Sequence, residues 1–264
     1  MLITSPANER VKLAASLHQK KYRDEHGLFL VEGREMIDMA LANHFEAETI
    51  FLTASPAQAG VHRASGKTGP LLSQGIRDMV EVTTEVMQKI SKKDNPQDII
   101  AVFKKKPSAA WPVAIDTVLP ALEEIRDPGN LGTIMRTCHA LGLKQILLIG
   151  PCCDVYAPET IRASMGSFAY IEIVTTNADE LVAWKKNNNA ANWLGTDVVK
   201  ATDYREADYA GAMLLLGNEQ KGLSGTLKSA CTSNVKIPMP GGTESLNVAM
   251  AATLLLYEAR KSAI

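Results

Sequence analysis

The sequence predicts an α/β protein of two units, a small N-terminal α/β layer followed by a larger domain on a mainly parallel sheet. Three observations predict it. Apolar runs of five or six residues alternate with segments of helical spacing along most of the chain. The runs in the second half are apolar on both faces, as strands of a sheet covered by helices on both sides must be. The chain has 264 residues, more than the ~100–200 that one core usually organises.

The elements follow in order. "ERVKLAASLHQKKYRDEHG" places Val11, Ala14, Ala15 and Leu17 at helical spacing, with Arg10, Lys12, His18, Lys20, Lys21 and Arg23 on the polar side. "GLFLVEG" reads as a short strand, "REMIDMALAN" as a helix and "ETIFLTA" as a strand, with weaker elements up to "IIAVFKK". "FKKKPSAAWPV" combines a lysine run with two prolines and reads as a linker. The expected boundaries are therefore 1–106 for the first domain, 107–113 for the linker and 114–264 for the second domain. Beyond the linker, "ALEEI", "QILLIG", "AYIEIV", "AMLLLG" and "VKIPM" are strand candidates. "NLGTIMRTCHALG", "APETIRASMG", "ADELVAWKKNN" and "SLNVAMAATLLLYEARK" are helix candidates.

Composition excludes several classes. With 46% hydrophobic and 22% charged residues the chain is neither disordered nor collagen-like. Its first residues carry charge without an apolar signal region. The longest apolar run, "VAMAATLLLY", is half the ~20 residues of a membrane span. Cys138, Cys152, Cys153 and Cys231 show no CxxC spacing and no paired histidines, which predicts no metal, no redox motif and a reducing cytoplasm. The net charge is −1: residues 1–106 hold 15 Lys and Arg against 13 Asp and Glu, and the remainder 13 against 16. That balance does not advertise a polyanion partner.

Chemistry concentrates in three stretches, each where a predicted strand meets a loop, the place at which open α/β sheets bind ligands. In "RDPGNLGTIMRTCHALG", Asp127-Pro128-Gly129 forms a turn, Asn130 is the expected helix cap, and Arg136 lies about two turns further on. "LLLGNEQKGLS" has the glycine separation and the serine of a phosphate-binding loop, but Leu223 stands where that loop needs lysine. There Gly217 lets backbone approach a ligand and Glu219 offers a carboxylate. In "IPMPGGTESLNVAMA", irregular backbone leads to Ser245 or Glu244 as cap of a helix beginning at Leu246-Asn247, and Asn247 is expected to be buried.

"DPGNLGTIMRTCHALG", "LLLGNEQKGLS" and "IPMPGGTESLNVAMAATLLLYEA" resemble motifs one, two and three of the SpoU, or TrmH-like, RNA ribose 2′-O-methyltransferases of the SPOUT superfamily. "ITSPANERVKLAASLHQKKYRDEHGLFLVEG" is similar to their N-terminal substrate-binding domain, itself resembling ribosomal RNA-binding proteins, and "IRASMGSF" to a segment between motifs one and two. The resemblance covers essentially the whole chain. It implies a C-terminal domain with a deep trefoil knot, methyl transfer from S-adenosyl-L-methionine to a ribose 2′-hydroxyl, most readily of ribosomal RNA, and a homodimer formed through the knotted domain. A tRNA ribose methyltransferase, or a non-catalytic RNA-binding or ribosome-assembly factor of the same fold, is the alternative.

By motif position, the resemblance implies Leu216, Gly217, Ile237, Met239 and Leu246 at the cofactor and Arg136, Asn130, Glu219, Ser245 and Asn247 at the reaction. Arg136 is the family's proposed activator of the hydroxyl, a role better served by holding phosphate and lowering the hydroxyl's pKa, because a guanidinium is a donor only. Arg162 and Ser164 are expected to touch RNA phosphate, and Lys12, Lys20, Lys21 and Arg23 to form an RNA-docking edge or a solvated helix face. His139 and the cysteines receive no role.

Overall fold

The computed structural model describes residues 2–54, 78–112, 115, 117–188, 192–197 and 201–261. Contacts divide the chain into two compact units, residues 1–106 with 156–169, and residues 107–155 with 170–264.

The chain begins with strand β1 (Leu2–Ile3), helices α1 (Glu9–Ser16) and α2 (Lys20–His26), strand β2 (Leu28–Glu32), helix α3 (Arg34–Ala42) and strand β3 (Ala47–Thr53). Strand β4 (Met79–Val82), helix α4 (Thr84–Ser91) and strand β5 (Ile99–Lys104) follow. The strands form a mixed sheet in the order β1-β4-β3-β5-β2. The amphipathic stretch expected as one helix is two, because Gln19 takes an extended conformation before α2. Val11, Ala14 and Leu17 are buried with Val86, Met87 and Ile90 of α4 against the sheet.

This packing corrects one surface assignment. Arg23 is 3% exposed and donates from Nη1 to the Leu17 carbonyl at 2.8 Å. Its guanidinium serves the buried join between α1 and α2, where it satisfies a carbonyl left by the broken helix, and offers no face to RNA. Lys12 pairs with Glu9 at 2.8 Å and Lys20 with Asp24 at 3.0 Å, and both, like Lys21, are exposed.

The remaining elements are strand β6 (Val118–Glu123), helix α5 (Pro128–Ala140), strand β7 (Gln145–Ile149), helix α6 (Pro158–Ser164), strand β8 (Glu172–Thr176), helix α7 (Ala178–Asn188) and strand β9 (Asn192–Thr196). Strands β10 (Thr202–Asp203) and β11 (Ala212–Leu216), helix α8 (Gly225–Ala230), strand β12 (Ser233–Lys236) and helix α9 (Val248–Arg260) complete the chain. Seven strands make one sheet in the order β10-β12-β9-β11-β6-β7-β8, and every pairing in it is parallel. Leu119, Ala121, Leu147, Met213, Leu215 and Trp193 share its core.

Two expected boundaries shift. Phe103 and Lys104 belong to β5, and the stretch read as a linker lies along β8: the Ala109 amide donates to the Ile173 carbonyl at 2.8 Å, and Thr175 donates to Ser108 Oγ at 3.1 Å. Trp111 then stacks on Trp184, with ring centroids 5.6 Å apart. Residue 113 lies outside the described residues. Helix α6, expected within the second domain, belongs by its contacts to the first unit, where Phe168 meets Phe29 and Phe45 edge-on. Among the described residues no helix is long and apolar enough to cross a membrane.

Candidate active site

The site lies at the C-terminal edge of the parallel sheet. At the end of β6, Glu123 is 7% exposed and accepts the Ser224 amide at 2.7 Å. Glu124 then takes φ +50°, a left-handed conformation uncommon for a residue with a side chain and one that clusters at functional sites. Asp127, not Asn130, caps α5: its carboxylate accepts the Asn130 amide at 2.7 Å, and Pro128 occupies the first turn, where no amide hydrogen is needed. A Cβ on Gly129 would come within 2.9 Å of that carboxylate. Asn130 thus stands inside the first turn with its side chain free for other work.

The loop after β11 explains the near-phosphate-loop spelling. Asn218 and Gly222 exchange backbone hydrogen bonds at 3.1 and 2.9 Å, and Asn218 Oδ1 accepts the amides of Gln220 and Lys221. Its Nδ2 donates to the Glu124 carbonyl at 2.8 Å. A Cβ on Gly217 would lie 2.1 Å from the Gly222 carbonyl carbon, so residue 217 carries no side chain for lack of room. Leu223, at the position a phosphate loop gives to lysine, is buried in the core.

These anchors bring three distant segments together. Asn247 donates to Asn130 Oδ1 at 3.0 Å, and Asn130 donates to Glu219 Oε1 at 3.1 Å. Asn247 is exposed rather than buried, and it is itself the cap of α9: its Oδ1 accepts the amides of Ala249 and Met250. The helix therefore starts after Asn247, and neither Ser245 nor Glu244 caps it. Thr137 and Thr253 join α5 to α9 with hydroxyls 2.9 Å apart.

Arg136 and Ser245 stand outside this chain. Both are exposed, and among the described residues neither side chain makes a hydrogen bond or ion pair. Leu216 is buried in β11, whereas Ile237 and Met239, just after β12, and Leu246, just before α9, are half-buried. The parallel order places β9 between β11 and β12, so Gly217 and Ile237 leave the same edge.

Ser164 needs a correction. It is fully buried and its hydroxyl donates to the Ile161 carbonyl at 2.8 Å, closing its own helix turn, so it presents nothing to phosphate. Arg162, two positions earlier, is exposed. Burial raises the thiols of Cys138 and Cys153 to about 12 and that of Cys231 to about 11; the carboxylates of Asp127 and Glu219 add to the effect at Cys153. All three are protonated and unreactive at neutral pH. Among the described residues no cluster of three or more His, Cys, Asp or Glu could hold a metal ion.

Sequence reasoning missed Glu123, Asp127 and Asn218 as builders of the site. A carboxylate closing an apolar strand, "VLPALE", and the Asp-Pro pair ahead of a helix were the available signals.

Comparison with known proteins was consistent with this geometry. The model of the SpoU rRNA Methylase family matches residues 118–257, and that of the MRM3-like substrate binding domain matches residues 8–101. A Synechocystis protein named as an uncharacterized tRNA/rRNA methyltransferase is 30% identical over 98% of this chain and 93% of its own. The 23S rRNA (guanosine(2553)-2′-O)-methyltransferase RlmP of Bacillus subtilis is 29% identical over 98% of both chains. The crystal structure of an AdoMet-bound rRNA methyltransferase from Sinorhizobium meliloti superposes with a TM-score of 0.86 at 32% identity, over 100% of this chain and 98% of that one.

Proposed function

The chain belongs to the SpoU rRNA methylase family, and from that premise we propose that it transfers a methyl group from S-adenosyl-L-methionine to a ribose 2′-hydroxyl of ribosomal RNA. The observation that carries the reading is the hydrogen-bonded chain Asn247–Asn130–Glu219, which assembles one residue from each motif at the sheet edge. The Bacillus relative that matches end to end is named for the same reaction on 23S rRNA, and the match of the N-terminal unit to a substrate-binding domain supports an RNA of that class.

The residues fit the cofactor. Gly217 presents bare backbone, Ile237, Met239 and Leu246 are half-buried and apolar, and the buried Leu223 leaves no lysine for a triphosphate. Leu216, Gly217, Ile237, Met239 and Leu246 would hold the adenosyl group, Leu216 through its backbone. S-adenosyl-L-methionine supplies an electrophilic methyl on a sulfonium, so the protein's task is chiefly to position the hydroxyl, an effect of up to ~7–11 kcal/mol.

Asn130 holds the Glu219 carboxylate in one orientation, and Asn247 holds Asn130. Ser245 lies beside this chain in sequence and contacts the ribose. Arg136, a pure donor with a fork of N–H groups, binds the RNA phosphate and favours loss of the hydroxyl proton. Lys12, Lys20, Lys21 and Arg162, all exposed, bind RNA backbone.

Three further features complete the reading. The segments carrying motifs two and three form a trefoil knot, a rare exception to ordinary chain connection, supported by membership of the SpoU family. The protein works as a homodimer through α9, supported by Met250, Leu254 and Tyr257, which are 60%, 42% and 46% exposed and share one helix face. Its rRNA substrate supports a cytoplasmic location.

The test is transfer of tritiated methyl from S-adenosyl-L-methionine to rRNA and tRNA, followed by alkaline hydrolysis. A ribose 2′-O-methyl group blocks cleavage, so label in alkali-resistant dinucleotides of rRNA is expected. Label in mononucleotides, in tRNA alone, or in no RNA overturns the reading.

A further inference from the structure

The first unit contains a cavity of ≈ 960 Å³ that the methyl-transfer site does not use. Its size is within the ~300–1,000 Å³ of small-ligand sites. Three cationic side chains converge on it from three elements: Arg34 at the start of α3, Lys92 just after α4, and Arg162 of α6. Arg34 Nη1 is buried and, among the described residues, has no hydrogen-bond partner. Buried guanidinium donors are normally satisfied, so this one is set for an acceptor that the described residues do not supply.

Lys92 takes φ +57°, a left-handed conformation rare for lysine, as it ends α4. Two other charged lining residues cancel: Lys93 pairs with Glu32 at 2.7 Å, and Glu32 also accepts from Ser91 and the Gln97 amide. Three cations remain against the carboxylates of Glu35 and Glu159. The floor is apolar, with Leu30, Ile100 and Ile161 buried and the thioethers of Met36 and Met165 beside them.

We infer that this cavity receives one ribonucleotide of the substrate RNA outside the reaction centre, with its phosphate on Arg34, Lys92 and Arg162 and its base against the apolar floor. The inference rests on the rRNA reading above. Cations alone would capture any polyanion. Carboxylates among them penalise a bare phosphate and accept from a ribose hydroxyl or a base amino group, so the site favours an unstacked ribonucleotide in a folded RNA. This suits a chain of net charge −1, which cannot rely on general attraction to phosphate.

The test uses the full-length protein and the rRNA fragment that it methylates, with Arg34→Gln, Lys92→Gly and the double variant. Glycine at 92 adopts the left-handed conformation without strain, so it removes the charge and leaves the turn intact; should Arg34→Gln fail to fold, Lys92→Gly carries the test alone. Each single variant is expected to raise the KM for RNA about five-fold. Each should also lower the log–log salt slope of binding by about one. The kcat at saturating RNA and the affinity for S-adenosyl-L-methionine should stay within about two-fold of wild type. RNA affinity, KM and salt slope all unchanged in the folded variants overturn the inference. If the wild-type protein transfers no methyl group, the functional reading fails instead, and the dependence of rRNA binding on Arg34 and Lys92 still decides the cavity.

Discussion

Asn247 donates to the side-chain oxygen of Asn130 at 3.0 Å across 117 residues of sequence. Asn247's own oxygen is committed to the amides of Ala249 and Met250, so its nitrogen must face Asn130. Asn130 in turn can only offer its nitrogen to Glu219. The cap of one helix thereby sets the direction of the hydrogen bond that Asn130 gives the carboxylate.

Asn247→Asp separates these two roles. The carboxylate still caps α9, so stability is expected to stay within about 0.5 kcal/mol, whereas Asn247→Ala loses the cap at a cost of about 1 kcal/mol. Both remove the donor to Asn130, and both are expected to lower kcat at least ten-fold. Denaturant midpoints and methyl-transfer kinetics check the pair; an active Asn247→Asp enzyme would show that the relay is dispensable.

Gly217→Ala places a methyl 2.1 Å from backbone of the same loop, which must open. Loss of at least ten-fold in affinity for S-adenosyl-L-methionine is expected by calorimetry. Gly225→Ala meets nothing within 4 Å and serves as the neutral control.

Arg136→Lys keeps the charge and loses the fork. Cofactor affinity is expected to be unchanged and kcat to fall ten-fold or more in the methyl-transfer assay. A wild-type rate for the lysine variant would rule out a specific guanidinium role.

Acid should loosen the first unit in two stages. Burial holds the His18 imidazole below its ordinary 6.5, despite its bond to the Ile90 carbonyl and with Lys92 and Arg23 opposing its charge and Glu159 favouring it. The unfolded chain takes up that proton first, so stability falls as pH drops below about 6.5. The Lys105 and Lys20 ammonium groups hold Asp24 below its ordinary 3.8. Burial would raise Glu32, but the bonds from Lys93, Gln97 and Ser91 together hold it below 4.5. The stability these carboxylates give is present above their ordinary values and is lost as pH falls through their folded ones. Trp111, Trp184 and Trp193 all lie in the second unit, so hydrogen exchange over residues 9–42 is the measurement. His18→Gln is expected to abolish the first stage alone.

Leu254→Glu puts a charge in the exposed apolar stripe of α9. Sedimentation equilibrium is expected to show a dimer for the wild type and a monomer for the variant. A wild-type monomer would refute the dimer.

Much of the second sheet was legible because its strands are continuous apolar runs such as "AMLLL" and "QILLI", which only burial on both faces explains. Shorter elements were not: "NWLGT" and "GTLKSA" carry glycine and polar residues, and they become β9 and α8 through their neighbours. At Gly195 a Cβ would meet Asn234 Oδ1 and Cys231 Sγ at 2.6 and 2.7 Å, a constraint no local pattern reveals. The motif residues could be named from their wording, yet the caps were misplaced on both helices, since Asp127 and Asn130, or Ser245 and Asn247, are equally good caps by type. Arg23 and Ser164 read as surface because of their chemistry. Burial by a broken helix and by a short turn decided otherwise.

Strand β6 joins β7 on one side and β11 on the other, where Val118 meets Ala212 and Leu122 meets Leu216, 94 positions along the chain. During synthesis one side of this fully buried strand has no neighbour until β11 has left the ribosome. An unpaired apolar strand invites adhesion to other nascent chains, so the growing polypeptide is exposed to that adhesion throughout the interval.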